Sequence, residues 1–201
     1  MDGTVVRRGG PADLEPALEV WRAAEEARRG GPMSSEHGGR VRAHVQNPTA
    51  FLFVADGADG IVGMAVGMQA LAKNGVGPPI QDLCHVGAVF VAPGLWGAGL
   101  GGELVEAVLS GARSRGYGRA QLWTHADNSQ AQRLYENRGF RRTGREKQDD
   151  LGETIIHYER WSYITPKHSQ ATARRGGSQT HPADRGRADG TPGTPTKRRR
   201  G

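Results

Sequence analysis

Residues 91–104 read Val-Ala-Pro-Gly-Leu-Trp-Gly-Ala-Gly-Leu-Gly-Gly-Glu-Leu, and they lead from an apolar strand pattern into a helix pattern. The strand pattern covers residues 83–91 and ends at Pro93. Glycines follow at positions 97, 99, 101 and 102, and an apolar stripe at helical spacing begins at Leu100. A glycine-rich turn at a helix N-terminus presents several backbone N–H groups at the positive end of the helix dipole. This arrangement favours the binding of a phosphate or a pyrophosphate.

Two well-known phosphate-binding motifs fit this stretch poorly. A dinucleotide-binding fold requires an acidic residue about twenty positions further on to hold a ribose, and residues 119–123 contain no acid. A Walker loop requires Gly-Lys-Ser or Gly-Lys-Thr, which the stretch lacks. Both alternatives are weakened.

The overall composition predicts one domain that does not enter a membrane. The chain has 201 residues, enough for a domain of ordinary size. Its single cysteine, Cys84, excludes an internal disulfide framework and a cysteine-rich zinc site. No apolar run approaches the ~20 residues of a membrane span, and the N-terminus lacks the apolar segment of a signal peptide. We therefore expect a cytoplasmic protein, and the spacing of the His, Cys, Asp and Glu residues predicts no metal site.

The positive net charge belongs to the C-terminal segment. Residues 163–201 contain nine of the 27 basic residues and two of the 21 acidic ones, which leaves residues 1–162 with a net charge of −1. The segment is rich in Gly, Pro, Ser and Thr and has almost nothing to bury, so we predict a domain over residues 1–162 and a disordered basic tail over 163–201. The run Lys197–Arg200 suits nucleic acid or an acidic partner, but aromatic residues for base stacking are nearly absent there. A solubilising extension is the favoured interpretation.

Apolar periodicity predicts alternating strands and helices through residue 161. The first helix begins after Asp13, a plausible N-cap, and the last ends at Gly139. The predicted strands are 4–7, 51–55, 61–66, 83–91, 120–124, 141–144 and 154–161, and the predicted helices begin at Leu14, cover 35–45, run from Leu100 to about Gly116, and cover 129–138.

A second motif gives the first one a context. Residues 128–140 read Asn-Ser-Gln-Ala-Gln-Arg-Leu-Tyr-Glu-Asn-Arg-Gly-Phe, and Ala131 and Tyr135 lie four apart on one helix face. This Asn-x-x-Ala-x-x-x-Tyr-x-x-x-Gly-Phe pattern follows the glycine stretch by about thirty residues. Together the two motifs resemble those of the GNAT superfamily of acetyl-CoA-dependent N-acetyltransferases, over roughly residues 4–161.

The resemblance implies an α/β (α+β) fold, with a mixed, mostly antiparallel sheet of about six to seven strands flanked by helices. The strands at 83–91 and 120–125 would run parallel and separate, and the pantetheine arm of acetyl-CoA would lie between them. The backbones of Val89, Phe90 and Val91 would pair with pantetheine as an added strand does. The Val89 amide would polarise the acetyl carbonyl. The amides that would hold the pyrophosphate belong to Trp96, Gly97, Ala98, Gly99, Leu100, Gly101 and Gly102. Family members often carry Gln or Arg where this chain has Trp96, whose side chain adds no charge.

The resemblance also assigns roles to three residues of the second motif. Tyr135 would protonate the departing CoA thiolate, since a phenol is a proton donor; the alternative is an ordinary packing role on an amphipathic helix. Asn128 would contact the cofactor, and it is also a good N-cap for the helix that follows. Ala131 would line the cofactor site.

The general base is less clearly indicated. An amine substrate is protonated at neutral pH and must lose a proton before it attacks. Some family members use a Glu at the position that His85 occupies here, and a histidine titrates near neutrality. A partly buried histidine in a strand is the alternative interpretation. Asp82 and a chain of waters are rival bases.

The sequence leaves the acceptor open between small-molecule and peptide amines. Trp21 and Glu25, and His125 and Asp127, are weaker candidates for lining its site, because loop and helix-face polar residues usually meet solvent. The predicted function is N-acetyl transfer from acetyl-CoA to a primary amine. A CoA-binding regulatory module with weak catalysis is the alternative, and a homodimer is compatible with the resemblance.

Overall fold

The computed structural model describes residues 3–32 and 39–161. The tail predicted over 163–201 lies outside these residues. The helices and strands are β1 (Val5–Arg8), α1 (Leu14–Arg29), α2 (Gly39–Gln46), β2 (Phe51–Gly57), β3 (Gly60–Leu71), α3 (Ala72–Gly75), β4 (Pro79–Val91), α4 (Leu100–Ser114), β5 (Arg119–His125), α5 (Ser129–Glu136), β6 (Arg141–Gln148) and β7 (Thr154–Trp161). No helix of the described ranges has the length and apolarity that crossing a membrane requires.

The strands form a single seven-stranded sheet in the order β1-β2-β3-β4-β5-β7-β6. Every neighbouring pair is antiparallel except β4 and β5, which run parallel. The prediction of a mixed, mostly antiparallel sheet flanked by helices is confirmed. The parallel pair sits in the middle, where the glycine loop and α4 carry the chain from one strand to the other.

Each face of the sheet packs against different helices, because successive side chains of a strand point to opposite faces. The α4 face forms one buried cluster, in which Leu104, Val105 and Val108 join Phe51 and Leu122. The α1 and α2 face forms a second cluster, in which Leu18, Trp21 and Val41 join Met64 and Val66. The second cluster covers β2, β3 and β4 and leaves the same face of β5 available for a cavity.

A bulge at Gly87 ends the pairing of the two parallel strands. Val66 lies opposite Ala88 but Gly67 lies opposite Val86, so Gly87 is the additional residue. The pairing of β4 with β5 stops at Val86 and Leu122. An added Cβ at Gly87 would lie 2.7 Å from Cε of Met68 and 2.8 Å from Nδ1 of His44, so a larger residue would displace these side chains. Beyond the bulge the two strands diverge and leave a gap.

Asp13 is the N-cap residue of α1, as predicted, but its side chain has a different role from that of a cap. Its side chain makes no cap hydrogen bond to α1. The carboxylate instead accepts hydrogen bonds from Arg7 at 2.7 Å and from the Gly10 amide at 2.8 Å, and it closes the short 3-10 turn Pro11–Asp13. The paired guanidinium holds the pKa of this carboxyl down at about 2. Because the Asp13 carboxylate binds Arg7 of β1, it does not bind the free amides at the start of α1.

Candidate active site

The glycine loop offers four backbone donors to an external anion. Within residues 96–102, the amides of Trp96, Ala98 and Gly102 donate to the carbonyls of Pro93, Leu95 and Gly99, at 3.2, 3.3 and 2.9 Å. The amides of residues 97, 99, 100 and 101 have no acceptor among the described residues.

Two glycines of this loop have conformations that other residues rarely adopt. The φ angles of Gly97 and Gly99 are 82° and 91°, and a Cβ added at either would meet nothing within 4 Å. Four free donors and this open space, at the N-terminus of α4, fit a diphosphate group.

The side chain of Trp96 has a structural role, whereas the sequence indicated only that it adds no charge. Its indole Nε1 donates a 2.7 Å hydrogen bond to the carbonyl of Val91. This bond fastens the glycine loop to the end of β4. It also occupies the Val91 carbonyl, which the resemblance had assigned to pantetheine.

The edge of β4 along the gap retains free backbone groups. The Ala92 amide donates to the Val62 carbonyl at 2.9 Å, and hydrogen-bonded pairs alternate along an antiparallel ladder. Phe90, opposite Met64, therefore pairs with β3, whereas the backbone groups of Val89 and Val91 point away from β3 and into the gap. The Val89 amide and carbonyl and the Val91 amide are the groups that an extended ligand would meet.

A cavity of about 780 Å³ lies beside this gap. It brings together residues that are far apart in the sequence, from β4, β5, α1, α5 and the β6–β7 connection. The glycine loop, Asp82 and Asp127 are not part of its lining. The cavity is lined by the predicted site residues His85, Val89, Phe90, Asn128, Ala131 and Tyr135, and by the weaker candidates Trp21, Glu25 and His125.

Tyr135 lines the cavity and also packs into the α4-side core. Its ring makes an edge contact with Phe140 at 5.9 Å between centroids. Burial raises the pKa of the phenol. The hydroxyl therefore keeps its proton throughout the working pH range and can act as a hydrogen-bond donor. The ring of Tyr135 can therefore pack in the core while its hydroxyl donates a hydrogen bond.

Asn128 caps α5, as one of its two interpretations predicted. Its Oδ1 accepts a hydrogen bond from the Ala131 amide at 3.0 Å. Both residues also line the cavity. The cap fixes the start of the helix that carries Tyr135, so Asn128 orients the cavity wall whether or not it touches a ligand.

His85 is neutral in this environment. The residue lines the cavity, and its ring makes a T-shaped contact with the His44 ring, at 5.8 Å between centroids. Burial above all, and then the neighbouring His44, lower the pKa of His85 from 6.5 to about 3. Its Nδ1 is buried and has no hydrogen-bond partner among the described residues. Its rival Asp82 instead bonds the Gly118 amide, outside the cavity lining.

His157, which sequence reasoning did not single out, is fully buried. Its Nδ1 lies 2.8 Å from the Thr143 hydroxyl, and its Nε2 lies 3.1 Å from Oε1 of Gln121. Burial above all, and then Arg145, lower its pKa from 6.5 to about 4. The two contacts fit one neutral tautomer, in which Nε2 donates and Nδ1 accepts.

We expect this histidine to make stability depend on pH. Because its folded pKa is below the unfolded value, its contribution is complete above pH 6.5 and is lost as the pH falls toward 4. A single such group changes the free energy of unfolding by up to about 1.4 kcal/mol per pH unit. Urea unfolding between pH 7 and 4.5 should show a shallower dependence for His157→Gln than for the wild type. Parallel curves would mean that His157 titrates normally.

An ion-pair network joins α1 to the far side of the cavity. Arg28 contacts Glu25 at 3.0 Å and Glu153 at 2.8 Å, and His125 lies 3.1 Å from Glu153 and 3.3 Å from Asp149. His125, Asp149 and Glu153 are close enough to one another to be metal ligands. The guanidinium of Arg28 already neutralises Glu153, so the cluster is better described as paired charges.

Three cavity residues carry no motif and were missed. Trp123 follows the last residue of β5 that pairs with β4. Arg145 and Lys147 lie on β6, beyond the predicted strand end at residue 144. The alternation of Gln121, Trp123 and His125 along β5 was available as a signal. The two basic residues gave none, because β6 is almost entirely polar and exposed.

Comparison with known proteins agrees with this architecture. The sequence matches the Acetyltransferase (GNAT) family over residues 16–140. No curated protein matches it significantly. Among solved structures, the ribosomal-protein-S18-alanine N-acetyltransferase from Escherichia coli is 19% identical, with a TM-score of 0.63, covering 83% of this chain and 98% of that one.

Two further solved structures are similar. The PaiA N-acetyltransferase from Thermoplasma acidophilum, in complex with coenzyme A, is 16% identical, with a TM-score of 0.57 and coverage of 79% and 99%. A GCN5-related N-acetyltransferase from Kribbella flavida is 21% identical, with a TM-score of 0.60 and coverage of 79% and 97%. At these identities the likeness shows the fold.

Proposed function

The chain belongs to the GNAT acetyltransferase family, whose members use acetyl-CoA, and from this we propose that it transfers the acetyl group of acetyl-CoA to a primary amine by direct attack within a ternary complex. Acetyl-CoA supplies the activated thioester carbonyl that the amine attacks. The chain's own residues bind, orient and polarise, and none of them becomes acetylated.

The observation that carries the proposal is the set of four free amides in the glycine loop. Residues 97, 99, 100 and 101 present their N–H groups without acceptors at the N-terminus of α4. Hydrogen bonds from backbone N–H groups to a charged oxygen are stronger than bonds between neutral groups. Such a site holds the diphosphate of acetyl-CoA at one end of the gap.

The gap between β4 and β5 supports the proposed position of the thioester. The free groups of Val89 and Val91 would bind the pantetheine amides in the manner of an added strand. The Val89 amide would donate to the acetyl oxygen as negative charge develops on it.

Tyr135 is the proposed donor to the departing sulfur. Its raised pKa exceeds the reference value of a thiol, about 8.5. Complete proton transfer from the phenol to the thiolate is therefore uphill, and a hydrogen bond that stabilises the developing thiolate is the effective contribution.

His85 is the proposed acceptor of the amine proton, either directly or through water. A pKa of about 3 keeps its lone pair available but makes it a weak base. A histidine with an ordinary pKa would produce an acidic limb near neutrality in the pH–rate profile, and with its lowered pKa His85 should not produce one.

For His85→Gln we expect a lower kcat/KM with an unchanged shape of the pH–rate profile between pH 6 and 9. The measurement is kcat/KM at saturating acetyl-CoA across this range, for the wild type and the variant. If an acidic limb present in the wild type vanished in the variant, His85 would titrate near neutrality and would be a stronger base than the structure supports.

We further propose that residues 1–162 form the transferase domain and that 163–201 are dispensable for transfer. The family match ends at residue 140, and the sheet ends with β7 at Trp161. A chain ending at Ser162 should bind acetyl-CoA as the full chain does. The same pair of proteins shows whether any salt-dependent DNA binding requires the basic segment.

The decisive experiment combines calorimetry with a thiol-release assay on the full chain. Acetyl-CoA should bind, and thiol should appear only when an amine from a panel of small molecules and peptides is added. Binding without release for every amine would favour the regulatory CoA-binding module. Folded protein that gives no heat with millimolar acetyl-CoA would overturn the proposal.

A further inference from the structure

Two cations lie over the indole ring of Trp123 at the edge of the gap. The Nζ of Lys147 is 4.7 Å from the ring centroid, and the Cζ of Arg145 is 5.3 Å from it. Both residues belong to β6, which is two strands, or about 9.6 Å, away from β5. Their side chains therefore extend back over the sheet, and their charges lie near the place where β4 and β5 separate.

The position of Arg145 is supported from the opposite side of the cavity. Its NH2 group donates to Oδ1 of Asn74 at 3.3 Å, and Asn74 belongs to the connection between β3 and β4. Lys73 and Asn74 have φ angles of 50° and 58°, which non-glycine residues adopt at a cost. This turn lines the cavity, so the strained backbone accompanies a contact that orients a charge toward it.

The acids on this side of the cavity mostly have partners of their own. Glu25 is paired with Arg28, and Asp149 accepts hydrogen bonds from His125 and from two backbone amides. Among the described residues of the lining, cations outnumber acids by four to three: the cations are Arg29, Lys73, Arg145 and Lys147, and the acids are Glu25, Asp149 and Asp150. The part of the cavity around Trp123 therefore presents positive charge to a ligand.

We propose that the acceptor amine carries an anionic group, a carboxylate or a phosphate, within a few bonds of its nitrogen, and that Arg145 and Lys147 bind this group above Trp123. The inference rests on the proposed function and specifies its substrate class. Trp123 directly follows Leu122, the last residue of β5 that pairs with β4, so the anion site adjoins the gap. The spacing favours small acceptors such as amino acids or phosphorylated amines.

The behaviour of the neighbouring histidine supports this assignment. Besides burial, the charges of Arg145 and Lys147 lower the pKa of His157. The same field would disfavour an ammonium ion and favour the neutral, reactive amine. An attached anion compensates for the unfavourable charge, so an anionic acceptor binds where a simple cationic amine is repelled.

The test compares acceptors in matched pairs on the full chain with acetyl-CoA. Alanine is compared with alaninamide, and phosphoethanolamine with ethanolamine, by thiol release. Alaninamide has the more easily deprotonated amine, so a preference for alanine cannot arise from amine basicity. We expect the anionic member of at least one pair to have a KM lower by ~10-fold, and the pair that responds identifies carboxylate or phosphate.

The variants Arg145→Gln and Lys147→Gln should each raise the KM for the anionic acceptor by ~5-fold, a modest effect because the groups are partly exposed. The KM for the neutral partner should stay constant or fall. Arg142→Gln is the matched control, since Arg142 lies on the same strand, pairs with Glu146 and is absent from the cavity lining.

Calorimetry distinguishes failure of the proposed function from failure of the anion site alone. Failure of the folded protein to bind acetyl-CoA would overturn the proposed function itself. Normal acetyl-CoA binding with equal KM values in both pairs would overturn only the anion site. If no amine in the panel is acetylated, the affinities of the same four compounds for CoA-loaded protein provide the test instead. Equal affinity within each pair would then overturn the anion site.

Discussion

Replacing Gly99 with alanine is expected to weaken acetyl-CoA binding by about 100-fold. Gly99 has φ 91° and precedes α4, so an alanine there must adopt a left-handed conformation or move the loop. Keeping the left-handed conformation would cost stability, about 1–2 kcal/mol, so we expect the loop to move and to turn the amides of residues 99–101 away from their present direction. The loss corresponds to one or two charge-assisted hydrogen bonds, each worth about 1.5–3 kcal/mol.

Gly94→Ala is the matched control for this variant. Gly94 lies in the same connection, has open space around an added Cβ, and does not have a positive φ. Its acetyl-CoA affinity should equal that of the wild type. Calorimetry measures both affinities, and Tm values verify that both proteins fold. Wild-type affinity in a Gly99→Ala protein whose Tm is not lowered would exclude the glycine loop as the diphosphate site, because the loop would then have moved without affecting binding.

Replacing Tyr135 with phenylalanine should lower kcat by at least ~10-fold and leave acetyl-CoA affinity nearly unchanged. The variant keeps the ring that packs against Phe140 and removes only the hydroxyl. A hydroxyl that acts on the departing sulfur matters in the transition state, so its loss should appear in kcat. Because burial raises the pKa of the phenol, we expect no basic limb from Tyr135 in the wild-type profile below pH 10.

Tyr117→Phe provides the comparison for this second variant. Tyr117 is half-buried beside the α4-side core and is absent from the cavity lining. Removal of the Tyr117 hydroxyl should leave both kcat and the affinity for acetyl-CoA unchanged. An unchanged kcat in Tyr135→Phe would restrict Tyr135 to packing, and an equal loss in both tyrosine variants would indicate a general effect on the fold.

The sequence predicted the parts of the site that depend on backbone geometry. Glycines that must adopt positive φ, and a helix that must start where they end, leave a clear pattern, so residues 96–102 were identifiable. The divergence of β4 and β5 followed from the family resemblance. Its local cause, the bulge at Gly87, was not identifiable, since the contact of Gly87 with His44 of α2 is visible only in three dimensions.

The parts that depend on long-range contacts escaped sequence reasoning. The titration of His85 is governed by burial and by His44, which lies 41 positions earlier in the chain. The indole of Trp96 appeared as a missing charge, but its bond to Val91 is visible only in three dimensions. Arg145 and Lys147 lie on an exposed, polar strand, where alternation carries no information about the face they share with Trp123.

The bulge at Gly87 divides the sheet into two sub-sheets that meet along a short seam. Four residue pairs join β4 to β5, whereas seven join β5 to β7. An extended ligand in the gap would lengthen this seam beyond Val86 and Leu122 and would connect the two sub-sheets. Binding would then make the β4–β5 junction more rigid. The amine would therefore enter a rigid site only after acetyl-CoA has bound.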